Sequence, residues 1–133
     1  MTNYTTIEQS RRLVELGLDP TTADMAYAKG FENLVICSPY IENGFTGEFK
    51  LPCWSFVALI EILPWDIVVD DIHYELKVDI QNRYLGYVKP FTANYSENEL
   101  IGYGRDYSEE ETRYLIHNLY KLVCWLLENG YIE

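Results

Sequence analysis

Pro52 and Pro64 bracket the most apolar stretch of the chain, Leu51-Pro52-Cys53-Trp54-Ser55-Phe56-Val57-Ala58-Leu59-Ile60-Glu61-Ile62-Leu63-Pro64. Proline suits the first turn of a helix, where its missing N–H costs nothing, and a second proline ends the run. At about 100° per residue, Trp54, Phe56, Val57, Ala58, Leu59, Ile60, Ile62 and Leu63 point in every direction around the axis. A helix that is apolar all round is enclosed by protein or lies in lipid. About a dozen residues cannot span a bilayer, which takes roughly 20. The stretch is therefore expected to be a central buried helix wrapped by the other elements.

Composition narrows the class. The 133 residues, 48% of them hydrophobic, suit a single domain over residues 1–133 with a full core. No apolar run is long enough for a membrane span, and the polar start, Met1 to Thr6, has no signal-peptide character. Cys37, Cys53 and Cys124 are odd in number and each lies in apolar surroundings, as expected of buried free thiols in a cytoplasmic protein. A net charge of −11 repels phosphate backbones and anionic membranes, which disfavours nucleic acid as a partner and favours basic proteins. Twelve tyrosines supply either interface area or rings that line the core, and the second use is the commoner one.

In chain order, Thr5 and Thr6, with Glu8 and Gln9 three residues on, offer a capping box for a helix over about Ile7 to Leu16. Gly17 is its left-handed stop and Leu18 packs back. Asp19-Pro20 restarts a short second helix ending near Tyr27 to Gly30, which completes an N-terminal helical hairpin. Leu34 to Cys37 reads as a strand. Ser38 to Lys50 reads as a loop in which Asn43-Gly44 favours a tight turn. After Pro64 the period becomes two: Ile72, Tyr74, Leu76, Val78 and Ile80 alternate with His73, Glu75, Lys77, Asp79 and Gln81, one dry face against one wet face. Tyr84 to Lys89 and Leu100 to Tyr103 follow as strands. Ser108 and Glu111 open a long C-terminal helix that Gly130 stops, with Leu115, Ile116, Leu119, Leu122, Val123, Leu126 and Leu127 inward. The expected fold is α+β: a small antiparallel sheet of three to four strands, a central buried helix, a long C-terminal helix and an N-terminal helical hairpin.

No complete catalytic constellation is present. Asp66, Asp70, Asp71 and His73 carry donor types suited to a divalent metal, the partial basis for a metal-dependent hydrolase, although acidic turns before strands are common. Gly102-Tyr103-Gly104-Arg105 leads toward a helix start and could contact a nucleotide, with Tyr107 stacking and Arg113 adding charge; it lacks a third glycine and a following lysine. His117 has no partner at zinc-ligand spacing and reads as solvated. Trp65 and Trp125 fall outside the apolar faces and, with Tyr114, could form the aromatic centre of a partner site.

Three blocks, Thr5 to Ser10 continuing through Leu16 to Met25, Pro52-Cys53-Trp54-Ser55 with Ala58-Leu59, and Val123 to Ile132, resemble a family of small uncharacterised proteins of gut bacteria, their mobile elements and phages. The resemblance covers roughly half of the chain, in order. The family has no assigned activity, so it implies no cofactor and no catalytic residue, only a bacterial or phage-infected cytoplasmic setting. The expected function is a non-enzymatic binding protein, a phage or mobile-element accessory factor that engages a host protein through an acidic, tyrosine-rich surface. A small-molecule binder for a nucleotide signal is the alternative, and the metal-dependent hydrolase the second.

Overall fold

The computed structural model describes residues 3–28, 31–37, 49–90, 98–104 and 114–132. The Asn43-Gly44 turn, the Ser108 cap, Arg105, Tyr107 and Arg113 lie outside them. The elements run α1 (Ile7–Glu15), β1 (Met25–Ala28), β2 (Phe31–Cys37), β3 (Phe49–Cys53), α2 (Phe56–Ile62), β4 (Asp66–Val69), β5 (Ile72–Asp79), β6 (Tyr84–Val88), β7 (Glu99–Tyr103) and α3 (Leu115–Glu128). The fold is α+β, with two antiparallel sheets of strand order β2-β1-β3 and β4-β5-β6-β7.

α1 begins and ends where local chemistry directs. Thr6 caps it, accepting from Gln9 N at 3.1 Å, while Gln9 Oε1 accepts from Thr6 N at 3.0 Å. Such a cap is worth about 1 kcal/mol. Gly17, at φ +94°, lets its N–H reach Val14 O and the Leu18 N–H reach Leu13 O, a Schellman closure. The second helix of the expected N-terminal hairpin does not form. Pro20–Thr22 makes a single 3-10 turn, with Asp19 Oδ1 accepting from Thr21 N at 2.9 Å, and β1 follows. Ladder bonds to two neighbouring strands outweigh the helical start that Asp19-Pro20 supplies.

The proline-bounded stretch is also corrected. Pro52 is not a helix N1 residue; it lies in β3 opposite Ala26, on an edge strand, where a missing N–H is tolerated. The helix is only Phe56–Ile62, capped by Ser55 Oγ, which accepts from Ala58 N at 3.1 Å. It buries Ala58 and Leu59 and leaves Val57 61% exposed, so it is not enclosed on all sides. Trp54, which precedes the cap, is fully buried instead.

Asn3, Tyr4 and Thr5 bridge to this junction. Thr5 N donates to Trp54 O at 2.9 Å, Phe56 N to Asn3 O at 2.8 Å, and Tyr4 pairs with Ser55. Thr5 is completely buried; its Oγ1 accepts from Trp54 N at 3.1 Å and lies 2.7 Å from Ser10 Oγ, and its carbonyl accepts from Tyr27 Oη at 2.8 Å. Trp54 Nε1 donates to Thr22 Oγ1 at 2.9 Å, and Ser55 N and Oγ both bond the Asp24 carboxylate.

The second sheet carries the main core on one face. Ile67, Tyr74, Leu85 and Tyr87 pack with Leu13, Trp54, Leu59 and Leu63 and with Ile116, Leu119, Leu122, Val123 and Leu126 of α3. Tyr87 Oη donates to Pro64 O at 2.7 Å. Of the residues expected on the dry face, only Tyr74 and Leu76 of β5 are covered; Ile72 and Val78, and Ile80 just beyond the strand, are exposed. β6 is buried on both faces. On the side away from the core, Tyr84 lies over Gly86 and Gly102 and donates to Glu99 Oε2 at 2.6 Å. Glycine at those positions leaves room for the ring.

A junction holds α3 to the β5–β6 turn. Asn118, fully buried rather than on the polar side of its helix, donates from Nδ2 to Arg83 O at 2.9 Å; Arg83 sits at φ +52°. Gly104, at φ +113°, presses on the same carbonyl, and a Cβ there would also meet Asn118 Nδ2 at 2.8 Å. Gly104→Ala is therefore expected to lower the unfolding free energy by about 3 kcal/mol or more. Gly17→Ala, where a Cβ would meet nothing within 4 Å, carries only the left-handed backbone cost of about 1 kcal/mol. Urea denaturation of the two variants separates these outcomes.

Candidate functional site

Two surfaces gather groups of a kind that recognise ligands. The first is the β4–β5 hairpin. Val69 and Ile72 flank a two-residue turn, Asp70-Asp71, both at positive φ (+52° and +65°). That geometry matches the twist of the strands, and aspartate tolerates it through its short polar side chain. The paired aspartates thus belong to the turn. Asp66 lies at the other end of β4, roughly 10 Å of strand away, where Asp66 Oδ2 is 3.4 Å from His73 Nε2 with both side chains about half exposed. The four candidate metal ligands do not converge, and among the described residues no group of three or more His, Cys, Asp or Glu could hold a metal ion.

β4 is the outermost strand of its sheet. With Val69 and Ile72 paired across the turn and Leu76 N bonded to Trp65 O at 2.9 Å, the intervening N–H and C=O groups of Asp66 and Val68 point away from β5. Side chains that usually stay covered flank this edge: Trp65 is 83% exposed, Val68 59% and Ile72 40%. Asp66, Asp70, Asp71 and Glu75 surround them, all exposed.

The second surface is an open cleft of about 380 Å³, lined by Arg12, Tyr103, Tyr120, Lys121, Cys124, Trp125 and Glu128. Positions 120, 121, 124, 125 and 128 form one stripe along α3, between the buried Leu119, Leu122, Val123 and Leu126. Tyr103 comes from β7 and Arg12 from α1. The Arg12 guanidinium lies 3.4 Å from Glu15 and 4.0 Å from Glu128. Trp125 stacks on Tyr131, ring centres 5.4 Å apart and planes at 19°. Burial raises the Tyr120 hydroxyl to about 12 and also raises Tyr103 and Cys124, so all three stay protonated at neutral pH.

Of the residues singled out from sequence, Trp125 and Tyr103 meet in this cleft. Trp65 does not join them; it precedes the opposite edge strand. Tyr114 is half-buried at the N-cap of α3. The Gly102-Tyr103-Gly104 segment forms no open phosphate cradle: the space beside Gly102 holds Tyr84 and Glu99, and that beside Gly104 holds Arg83 O. His117 is half-buried, its Nδ1 3.2 Å from Gln9 Nε2. The surface is acidic without being tyrosine-rich among the described residues, where every tyrosine is buried or half-buried. Arg12, Tyr120, Lys121 and Glu128 were not apparent from sequence. Four-residue steps through Cys124 join Tyr120 to Glu128 and bring Lys121 beside Trp125, and only tertiary packing brings Arg12 to them.

No helix among the described residues is long and apolar enough to cross a membrane. The chain matches no family model, no curated protein and no solved structure in the comparisons made.

Cys53 is fully buried, and burial pushes its thiol to about 11 against 9.0 for a free thiol. A raised acid pKa contributes stability in full below pH 9 that is lost as pH rises through 11. Urea midpoints should therefore fall from pH 9 to 11. Native Cys53 should resist a disulfide reagent at pH 8 and react once the chain is unfolded.

Proposed function

We propose that this is a non-enzymatic binding protein whose recognition element is the exposed edge of β4. The exposure of Trp65 carries the reading: a tryptophan 83% in solvent, leading an outermost strand with outward-facing main-chain groups. Such an edge accepts an extended segment from another chain, with backbone bonds giving affinity and side-chain contacts giving specificity. The occupant is an extended basic segment of a partner protein. Asp66, Asp70, Asp71 and Glu75 complement lysine and arginine, and the overall charge of −11 opposes pairing between two copies.

The family resemblance fits this reading. In a bacterial or phage-infected cytoplasm the partner would be a host protein, and the chain an accessory factor of a phage or mobile element. No small-molecule chemistry is required of this edge. The Cys53 and Cys124 thiols stay protonated, and the acidic groups of β4, its turn and β5 serve as a charged rim.

Fluorescence anisotropy against a panel of extended Lys/Arg-bearing peptides with alternating apolar residues tests the proposal. Wild type should bind, more weakly as salt is raised. Trp65→Ala should lower affinity at least about tenfold with little change in the urea midpoint. A strand-blocking N-methylated peptide should fail to bind. Equal binding by wild type and Trp65→Ala, or none by either, would overturn it.

A further inference from the structure

We propose that the cleft between α1, β7 and α3 is a second, independent site, which takes a planar aromatic ring carrying an anionic group, a ligand the size of a nucleoside monophosphate. Three observations carry this. The volume of about 380 Å³ lies within the range of small-molecule sites, roughly 300 to 1,000 Å³. The walls supply aromatic rings from Tyr103, Tyr120 and Trp125, and stacking by Tyr131 steadies the indole. Arg12 and Lys121 bring two cations to a lining whose one carboxylate is Glu128, with Glu15 paired to Arg12 from outside it, in a protein whose charge is otherwise strongly negative.

The polar groups define what such a ligand must offer. Tyr103 and Tyr120 keep their hydroxyl protons and can donate to an anion. Arg12 already leans on carboxylates, at 3.4 Å from Glu15 and 4.0 Å from Glu128. An incoming phosphate or carboxylate would take the place of Glu128 beside it, since arginine binds both anions through the same planar fork. Glu128 is then a competitor built into the site, and removing its charge should strengthen binding. A residue with a purely structural role would not produce that sign. A nucleic-acid strand is disfavoured because its remaining phosphates would be repelled by a protein of net charge −11.

Calorimetric titration of the full chain with AMP, adenosine, inorganic phosphate and indole-3-acetate tests the site. AMP is expected to bind, with adenosine and inorganic phosphate at least about tenfold weaker, because ring and anion are both needed. Binding by indole-3-acetate in place of AMP would also support the site and identify the anion as a carboxylate. Glu128→Gln should tighten binding about threefold and Lys121→Ala should weaken it about tenfold. Tryptophan emission in a Trp65→Phe background, where only Trp125 and the buried Trp54 remain, should be partly quenched on binding. Trp65→Ala, at the far edge of the sheet, should leave this binding unchanged, which separates failure of this site from failure of the edge-strand reading. No heat from any probe at millimolar concentration, or Glu128→Gln binding no more tightly than wild type, would overturn the proposal.

Discussion

The buried hydroxyl of Thr5 is the point on which the two halves of the architecture meet. It stands beside Ser10 of α1 and accepts from the backbone that joins β3 to α2, while the carbonyl of the same residue holds the Tyr27 hydroxyl of β1. Each group would be costly to bury alone, by about 1–3 kcal/mol. Together they satisfy one another, and the first sheet, the first helix and the turn into α2 are placed by a single residue. Trp54 depends on it directly: its backbone bonds Thr5 in both directions, and its ring enters the main core. The Asp24 carboxylate on Ser55 and Thr22 on the indole nitrogen complete the same polar cluster.

Much of this fold is legible in sequence where one local rule acts alone. The capping box at Thr6 and Gln9, the stop at Gly17 with Leu18 folding back, and the second such closure at Gly130, where the Tyr131 N–H reaches Leu126 O, are readable because the partners lie within five residues of one another. The strands from Ile72 and from Tyr84, and the broad face of α3, follow from periodicity. What is not legible depends on distant partners. Met25 to Ala28 looks helical until β2 and β3 flank it, and Leu51 to Cys53 looks like a helix start until it pairs with β1. Apolar density around Pro52 and Pro64 reports burial without reporting period, and the segment divides into strand, buried tryptophan and a short, half-exposed helix. Asn118 shows the converse: a polar residue buried because Arg83 O needs a donor.

The candidate sites follow the same division. Trp65 and Trp125 stand out in sequence as rings without an obvious apolar face, and they occupy two different surfaces. The edge strand presents backbone and an acid rim. The cleft presents rings and cations. The Asp70-Asp71 pair resembles a ligand set when read as chemistry and is a hairpin turn when read as backbone, since both residues adopt the left-handed conformation the turn requires. The glycines at 102 and 104 likewise resemble a phosphate loop, and each instead admits a neighbour that a Cβ would displace.

The close approach of Gly104 to the Arg83 carbonyl, with Asn118 bonded to that same oxygen, has a bearing on the cleft next to it. Tyr103 immediately precedes the glycine, and Tyr120 follows the asparagine within the same helical turn. The wall contributed by β7 and the wall contributed by α3 are thereby clamped at one end, so their spacing is set before anything enters between them. A cleft held in this way is preorganised: a ligand of the kind proposed would cost it little conformational freedom, and selection there would rest on fit instead of an adapting width.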